Sequence, residues 1–422
     1  MPQLSLKGYD VLRNRNYRLF WIGQWISLIG TWMQSVTQAW LLTKLSGSPL
    51  ALGALGAAAS APMLVLVLFG GLVSDRADRR AVIMVTQALS LVQALVLAVL
   101  TLSGAVQAWH IIALAAVLGA INAFDIPARQ AFIVELVGPG HLPNAIALNS
   151  TGFNVARVVG PAIGGLLVAA VGEGVCFLLN AFSYVAVLWG LWLIRLAPGA
   201  MPSQHSARQQ GALIAGVRYA RARPELGWIL GLVGVVSAVA ISYRTFLPDM
   251  ARTVLGVGAW RYGFLMAAAG FGAGTGGLVL AGQRLGADSY RRLLPVSLVW
   301  FALALIAFSL ARSYTLSLLA LTAVGGGGIL YFNASNTLVQ LSVDDAYRGR
   351  VMSLYTLMHQ GTATFGSLAL GVIADLYGTP TALCIGAVVC LVAVGVFLSR
   401  PAVARSALSL QTRPEVAFPD AE

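Results

Sequence analysis

The chain contains twelve apolar stretches, each about 20 residues long or longer, with short polar segments between them. The stretches lie at 17–43, 50–73, 81–103, 109–128, 148–171, 174–194, 226–247, 261–283, 293–311, 314–338, 352–377 and 380–399. About 20 apolar residues in a helix cross the hydrocarbon core of a bilayer. Because lipid offers no hydrogen-bond partner to unpaired backbone groups, each stretch is expected to be a helix. The pattern therefore predicts an all-α integral membrane protein with twelve transmembrane helices.

Composition agrees with this prediction and excludes other classes. The chain is 58% hydrophobic and 10% charged, whereas about a quarter of the residues in soluble domains are charged. A net charge of +12 does not indicate a nucleic-acid partner, because the basic residues are scattered between apolar runs. The three cysteines lie inside apolar runs, so neither a disulfide framework nor a thiolate metal site is predicted.

The basic residues also predict an orientation. One side of the membrane is expected to carry 21 of the 27 lysines and arginines, and the other side only five. Arg244 is assigned to the sparse side, and Arg157 lies within a helix. Because basic loops stay on the cytoplasmic side, we expect an inner (cytoplasmic) membrane protein with both termini in the cytoplasm.

The two halves of the chain repeat each other. The sequence from Gly70 to Val73 recurs 206 residues later, and three glycines at 160, 165 and 172 recur at the same offset. This repetition predicts two pseudo-symmetric six-helix bundles around a central cavity. The expected units are a bundle at 1–195, a cytoplasmic linker at 196–225, a bundle at 226–400 and a cytoplasmic tail at 401–422. Within the linker, 211–223 is either a tether or a short basic amphipathic helix.

The loop after the second apolar stretch reads Gly-Leu-Val-Ser-Asp-Arg-Ala-Asp-Arg-Arg from Gly71. It resembles motif A of the major facilitator superfamily, except that Asp78 stands where the family has a second glycine. The resemblance implies gating roles for five residues of this loop: Gly71, Asp75, Arg76, Arg79 and Arg80. It also implies a charge relay of Asp75, Arg79 and Asp125, the alternative being that Asp125 pairs locally with Arg129.

The fifth apolar stretch contains Gly160-Pro161, followed after two residues by Gly164-Gly165. This segment resembles motif C, which is associated with exporters of the superfamily, and its glycines would let helices approach closely. The segments 344–353 and 16–20 resemble the branch that contains enterobactin-type siderophore exporters and multidrug efflux pumps.

In this superfamily, a few helices from each half line the cavity. The resemblance therefore implies a set of candidate lining residues: Gln34, Gln38, Asn122, Tyr331, Asn333, Asn336 and His359. Arg157, about a third of the way into the fifth stretch, is costly there unless it is paired or faces water, so it is expected either to line the cavity as well or to snorkel inward. Some of these polar side chains are expected to bridge helices instead. The lining is expected to be polar, aromatic and nearly uncharged, with no carboxylate deep in a helix.

The resemblance implies a secondary active transporter that exports a small molecule, a siderophore or a drug-like compound, by proton-coupled alternating access. Asp125 and His359 are the groups that could titrate. An uptake symporter and a lysophospholipid translocator remain as alternatives. We expect no catalytic residues, because no acid–base constellation is present. We also expect no metal or cofactor, because the four histidines are far apart and the sequence has no P-loop. The protein is expected to be a monomer.

Overall fold

A computed structural model describes residues 6–195, 212–283 and 285–400, and within these ranges the secondary structure is helical throughout. The predicted tail and the linker residues 196–211 lie outside the described residues. We number the helices in chain order: α1 Arg15–Ser46, α2 Pro49–Arg76, α3 Arg79–Leu102, α4 Ala108–Gly138, α5 Gly140–Val171, α6 Glu173–Leu193, α7 Ala212–Ala222, α8 Pro224–Val254, α9 Ala259–Ala281, α10 Ala287–Leu310, α11 Tyr314–Leu341, α12 Asp345–Thr356, α13 Thr362–Tyr377 and α14 Thr379–Leu398.

Ten helices of the described ranges are long and apolar enough to cross a membrane, namely α2–α6, α8–α11 and α14. Large apolar side chains point outward as well as inward. Leu278 exposes 75% of its surface and Phe365 exposes 72%, which suits a surface in contact with lipid tails. The prediction of an all-α protein that crosses the membrane several times is confirmed.

Local sequence fixes the helix ends. Asn14 caps α1 by accepting hydrogen bonds from the amides of Asn16 and Tyr17. Gly138, at φ 69°, separates α4 from α5 with a backbone conformation that side chains other than glycine rarely adopt. Asp78 caps α3 by accepting from the amides of Arg80 and Ala81, which is a physical reason for aspartate at the position where motif A has glycine.

Glycines set the distances between neighbouring helices in the first half of the chain. A Cβ atom on Gly160 of α5 would lie 2.6 Å from Cβ of Trp32 in α1. A Cβ atom on Gly23 of α1 would lie 3.1 Å from Cα of Val187 in α6. Because lipid provides little hydrophobic force between helices, such close packing is a main source of their association.

Two glycine crossings join helices of the first half to helices of the second half. In the first, α5 meets α9, where a Cβ atom on Gly165 would lie 2.9 Å from Cα of Gly263. In the second, α2 meets α13, where a Cβ atom on Gly53 would lie 3.2 Å from Cα of Gly371. The hydroxyl of Ser367 also donates to the carbonyl of Gly53 at 3.2 Å.

Further contacts between the halves cluster at the end of the molecule where α1 finishes, which we call the joined end. Arg252 donates to the carbonyl of Thr43 at 2.5 Å, and the ring of Trp40 stacks on that of Tyr262 with centroids 5.6 Å apart. The hydroxyl of Ser48 donates to Asp375 at 2.6 Å. We call the opposite end, where α2 finishes at Arg76, the motif A end.

The described part of the predicted linker contains a helix, α7, that is docked on α12. Tyr219 stacks on Tyr347 with ring centroids 4.5 Å apart, and its hydroxyl donates to Asp344 at 3.0 Å. Arg223 forms an ion pair with the same carboxylate at 2.8 Å. The Tyr219 hydroxyl and the Arg223 guanidinium hold the pKa of Asp344 below its usual value.

The α5–α9 crossing leads to a stability prediction. Gly165→Ala would place a methyl group 2.6 Å from the carbonyl oxygen of Ala259, so the helices must separate, at a cost of about 1–3 kcal/mol. Gly274→Ala is the matched control, because a Cβ atom on this helical glycine meets nothing within 4 Å. We expect a lower thermal unfolding midpoint in detergent for Gly165→Ala alone; equal midpoints would contradict a tight crossing.

Candidate functional site

The motif A residues occupy three different environments at the end of α2 and the start of α3. Asp75 and Arg76 are exposed. Arg80 donates to the backbone carbonyl of Trp192 at 3.2 Å. Arg79 is 7% exposed and forms an ion pair with Glu135 of α4, a partner that sequence reasoning did not identify.

Asp125 of α4 is 2% exposed and accepts hydrogen bonds from two side chains of α3, the Thr86 hydroxyl at 2.7 Å and the Gln87 amide at 2.9 Å. It also forms an ion pair with Arg129, one helical turn further along α4. This conformation therefore contains the local pair that was the alternative to the relay.

The predicted relay partners do not form ion pairs with one another in this conformation. Arg79 and Asp125 each have a different partner of opposite charge, and Asp75 is exposed at the surface. The relay stays a prediction. Gly71 is half-buried, and it is the preceding residue, Gly70, whose Cα faces the backbone of Ala123 in α4 at close range.

The motif C glycines face two different helices. Gly160 and Gly164 pack on α1, where a Cβ atom on Gly164 would lie 3.2 Å from Cα of Met33. Gly165 packs on α9, and the carbonyl of the buried Pro161 lies against Gly263 of the same helix. The motif thus allows α5 to pack closely against α1 on one side and against α9, of the second half, on the other.

The candidate lining residues of the first half are mostly enclosed among helices. Gln34 is 1% exposed, donates to Gln93 of α3 at 3.1 Å and accepts from Asn180 of α6 at 2.7 Å. It therefore bridges three helices, as some of these residues were expected to do. Gln38 is buried, and its amide nitrogen lacks a hydrogen-bond partner in the described chain. Asn122 is half-buried.

Two candidates of the second half, Tyr331 and His359, contact the ring of Phe332. His359 lies in the π-helical turn Leu357–Gly361 between α12 and α13, and its Nδ1 is 3.1 Å from the hydroxyl of Ser237. Its ring stacks on Phe332 with centroids 4.4 Å apart. Tyr331 is fully buried, its hydroxyl without a partner in the described residues. Asn333 and Asn336, one helical turn apart, are both half-buried. Asn336 accepts a hydrogen bond from the side-chain amide of Gln340 at 2.5 Å.

Two charged residues inside α8 correct the sequence analysis. From the sequence, Arg244 is expected on the side of the membrane with few basic residues, and the helix is expected to end at 247, before Pro248. Instead, π-helical turns at Ser237–Ile241 and Met250–Val254 carry the helix on to Val254. Arg244 is therefore ten residues from the helix end, about 15 Å, and it is a second arginine, besides Arg157, inside a helix of membrane-spanning length.

The second correction concerns Asp249, a carboxylate within α8 that is 4% exposed. It accepts a hydrogen bond from the Thr379 hydroxyl at 2.5 Å, so a carboxylate does lie inside a helix of membrane-spanning length. Continuation of the apolar pattern past Pro248 is the sequence signal that could have revealed it. Among the described residues, no three His, Cys, Asp or Glu side chains form a group able to hold a metal.

Comparison with known proteins identifies relatives along nearly the whole chain. Residues 7–421 match the family described as transmembrane secretion effector. The staphyloferrin A transporter of Staphylococcus aureus is 24% identical over 91% of this chain and 96% of its own length. The enterobactin exporter EntS of Shigella flexneri is 25% identical over 84% of each chain.

Solved structures of transporters share the fold at lower identity. The nucleoside transporter NupG superposes with a TM-score of 0.73 at 13% identity, covering 91% of this chain and 98% of its own. A bacterial homologue of the human lysosomal transporter Spinster, in an inward-facing and occupied conformation, superposes with a TM-score of 0.72 at 15% identity, covering 97% and 99%.

The two ion pairs at the motif A end lead to a double-mutant prediction. Arg79→Gln and Glu135→Gln should be strongly non-additive, because each removes the same buried interaction. Arg79→Gln and Asp125→Asn should add to within about 0.5 kcal/mol, because their partners differ. The measurement is the free energy of unfolding in detergent for the single and double variants. Strong coupling between Arg79 and Asp125 would contradict separate pairs and support the relay.

Proposed function

We propose that this chain, which belongs to the family of transmembrane secretion effectors, exports a small molecule from the cytoplasm by proton-coupled alternating access. The observation that carries the proposal is the position of the two glycine crossings, which join the halves toward one end while Asp75 is exposed at the other. A molecule closed at one end is what a transporter with one central site requires in each of its two states.

Family membership has consequences that do not depend on the direction of transport. The chain is a major facilitator transporter, not an enzyme, because its family and its curated relatives are transporters. It is a multi-pass membrane protein that carries a small molecule across a bilayer.

The proposed architecture has twelve membrane-spanning segments in two six-helix bundles, at 1–195 and 226–400, around a central cavity. Two segments complete the ten apolar helices. The first is α1, whose 32 residues include several glutamines that lower its mean hydropathy. The second is α12 with α13, which the turn Leu357–Gly361 interrupts. The repeat supports this division, because Gly165 and Gly371, 206 residues apart, are each at a crossing between the halves.

The proposed orientation places the motif A end in the cytoplasm, with the protein a monomer in the inner membrane. The concentration of arginines in the loops of that end supports this placement. Motif A then gates the cytoplasmic side: when this end closes, Asp75 would accept hydrogen bonds at the seam between the halves. Arg79 and Asp125, which have separate partners in the present conformation, would pair with each other only in that closed state.

Proton entry would supply the free energy for export. A membrane potential of 100 mV contributes about 2.3 kcal/mol per charge, which corresponds to ~50-fold accumulation per proton. Asp125, Asp249 and His359 are the candidate carriers, because each is a carboxylate or an imidazole that is at least partly buried.

The relatives support a siderophore as the substrate, since two of them are a staphyloferrin A transporter and an enterobactin exporter. A drug-like compound is the second proposed substrate. Both classes are small molecules that the cytoplasm produces or must expel.

Transport in everted membrane vesicles tests the direction and the coupling. With staphyloferrin A, enterobactin and a drug-like dye as probes, we expect one of them to accumulate inside energised vesicles and to be lost when a proton ionophore is added. Vesicles without the protein are the control. Accumulation only in right-side-out vesicles would indicate an uptake symporter. Ionophore-resistant flipping of lysophospholipid would indicate a lipid translocator, and either result would contradict the proposal.

Asp75→Asn tests the gate. We expect an inserted and folded protein with a reduced initial export rate, because the amide cannot replace the carboxylate charge at the seam. Asp78→Asn is the matched control, three residues away, since asparagine also caps a helix and should leave transport unchanged. Wild-type export by both variants, at equal expression, would remove Asp75 from the gate.

A further inference from the structure

Two arginines, one from each half of the chain, lie inside helices of membrane-spanning length. Arg157 is near the midpoint of α5, and Arg244 is within α8. The charge of Arg244 acts directly on Arg157, and it also acts on His359. Three basic side chains from three helical segments therefore interact electrostatically, and two of them come from different halves of the chain.

Backbone contacts near the two arginines involve four helices. A Cβ atom on Gly270 of α9 would lie 3.1 Å from the carbonyl oxygen of Arg157, so α5 packs against α9 at the arginine itself. A Cβ atom on Gly56 of α2 would lie 3.2 Å from the hydroxyl of Thr245, the residue after Arg244. Arg157 and the residue next to Arg244 are thus at contacts between helices of the first half and helices of the second.

Neither arginine is neutralised by an acidic side chain of the described residues. None of the ion pairs among the described residues includes Arg157 or Arg244. Arg244 donates from Nε to the hydroxyl of Tyr243 at 3.3 Å, which provides a polar partner but no compensating charge. Asp249, on the same helix, is engaged by the Thr379 hydroxyl.

Like charges that are partly removed from water repel each other, and in a membrane protein such charges are costly unless they serve a function. Arginine presents a planar set of donors that fits carboxylate, sulfonate and phosphate groups. Near the pair, His359 is stacked on Phe332 and lies edge-on to Tyr355 with centroids 6.4 Å apart. Hydrogen-bond donors for an anionic group and an aromatic surface are thus both available to a single ligand.

We propose that Arg157 and Arg244 together bind an anionic group of the transported molecule, with the aromatic side chains around His359 beside its apolar part. The proposal rests on the proposed function and assigns its substrate class: an organic anion. The shared chemistry is a carboxylate or phosphate, which a free organic acid or the headgroup of an anionic lipid could supply.

Ligand binding to the purified full-length protein in phosphatidylcholine nanodiscs tests this assignment. The probes are naphthoate and its neutral isostere naphthamide, measured by calorimetry and by the ligand-induced shift of the unfolding midpoint. We expect naphthoate to bind at least tenfold more tightly than naphthamide. Arg157→Gln and Arg244→Gln should each weaken naphthoate binding at least tenfold and leave naphthamide binding unchanged. The matched control is Arg312→Gln, at an exposed arginine of the joined end, and it should bind like wild type.

A second readout separates a binding site from a structural role. Because each glutamine variant removes one of two repelling charges, we expect its ligand-free unfolding midpoint to rise, whereas its naphthoate-induced shift falls. Arg244→Lys keeps the charge and should retain part of the binding. A glutamine variant that is less stable without ligand, or that binds naphthoate like wild type, would overturn the proposal.

Two further comparisons identify the source of the anion and isolate the proposal from the transport mechanism. Displacement of naphthoate by monomeric lysophosphatidylglycerol would support a lipid headgroup, and its failure to displace would support a free organic acid; equal displacement by naphthamide would contradict both. No gradient is needed for binding. Arginine-dependent binding without export would therefore contradict only the proposed function, and export with unchanged binding by the glutamine variants would contradict only the anion site.

Discussion

Close contact between glycine backbones is the interaction on which the rest of this structure depends. In lipid, apolar side chains gain little by leaving their surroundings, so helices associate through dispersion contacts and interhelical hydrogen bonds. Gly160, Gly164 and Gly165 bring α5 against α1 on one side and α9 on the other. The same spacing of small residues that looks like low complexity in the sequence therefore determines which helices are neighbours and how near their polar groups come.

The polar groups form three sets with different roles. Gln34, Gln93 and Asn180 satisfy one another inside the first half and tie its helices together. The carboxylates Asp125 and Glu135 are each matched by an arginine near the motif A end. Arg157 and Arg244, by contrast, lie inside long helices without a matching acid among the described residues. In the proposed function, these two charges are available to the transported molecule.

Sequence alone predicted the class of fold well, because long apolar stretches have few physical alternatives. The glycine repeat at an offset of 206 residues also indicated real packing positions, since Gly165 and Gly371 both lie at crossings. The site was predicted less well. The seventh apolar stretch was expected to end at 247, but π-helical turns carry the helix on to Val254, so Arg244 and Asp249 were not recognised as interior residues. Pairings such as Arg79 with Glu135 join residues 56 positions apart, and no local pattern encodes such a distance.

The two glycine crossings have a mechanical consequence. They lie on different helix pairs, α5 with α9 and α2 with α13, and both are too close for a side chain to intervene. Where backbones touch directly, two helices can change their crossing angle while their separation stays fixed, provided that the hydrogen bond from Ser367 to Gly53 adjusts with them. A rigid body that is held at two such points keeps a single rotation, about the line through them. The two crossings would then define a single rotation axis, so that separating the halves at one end of the molecule brings them together at the other.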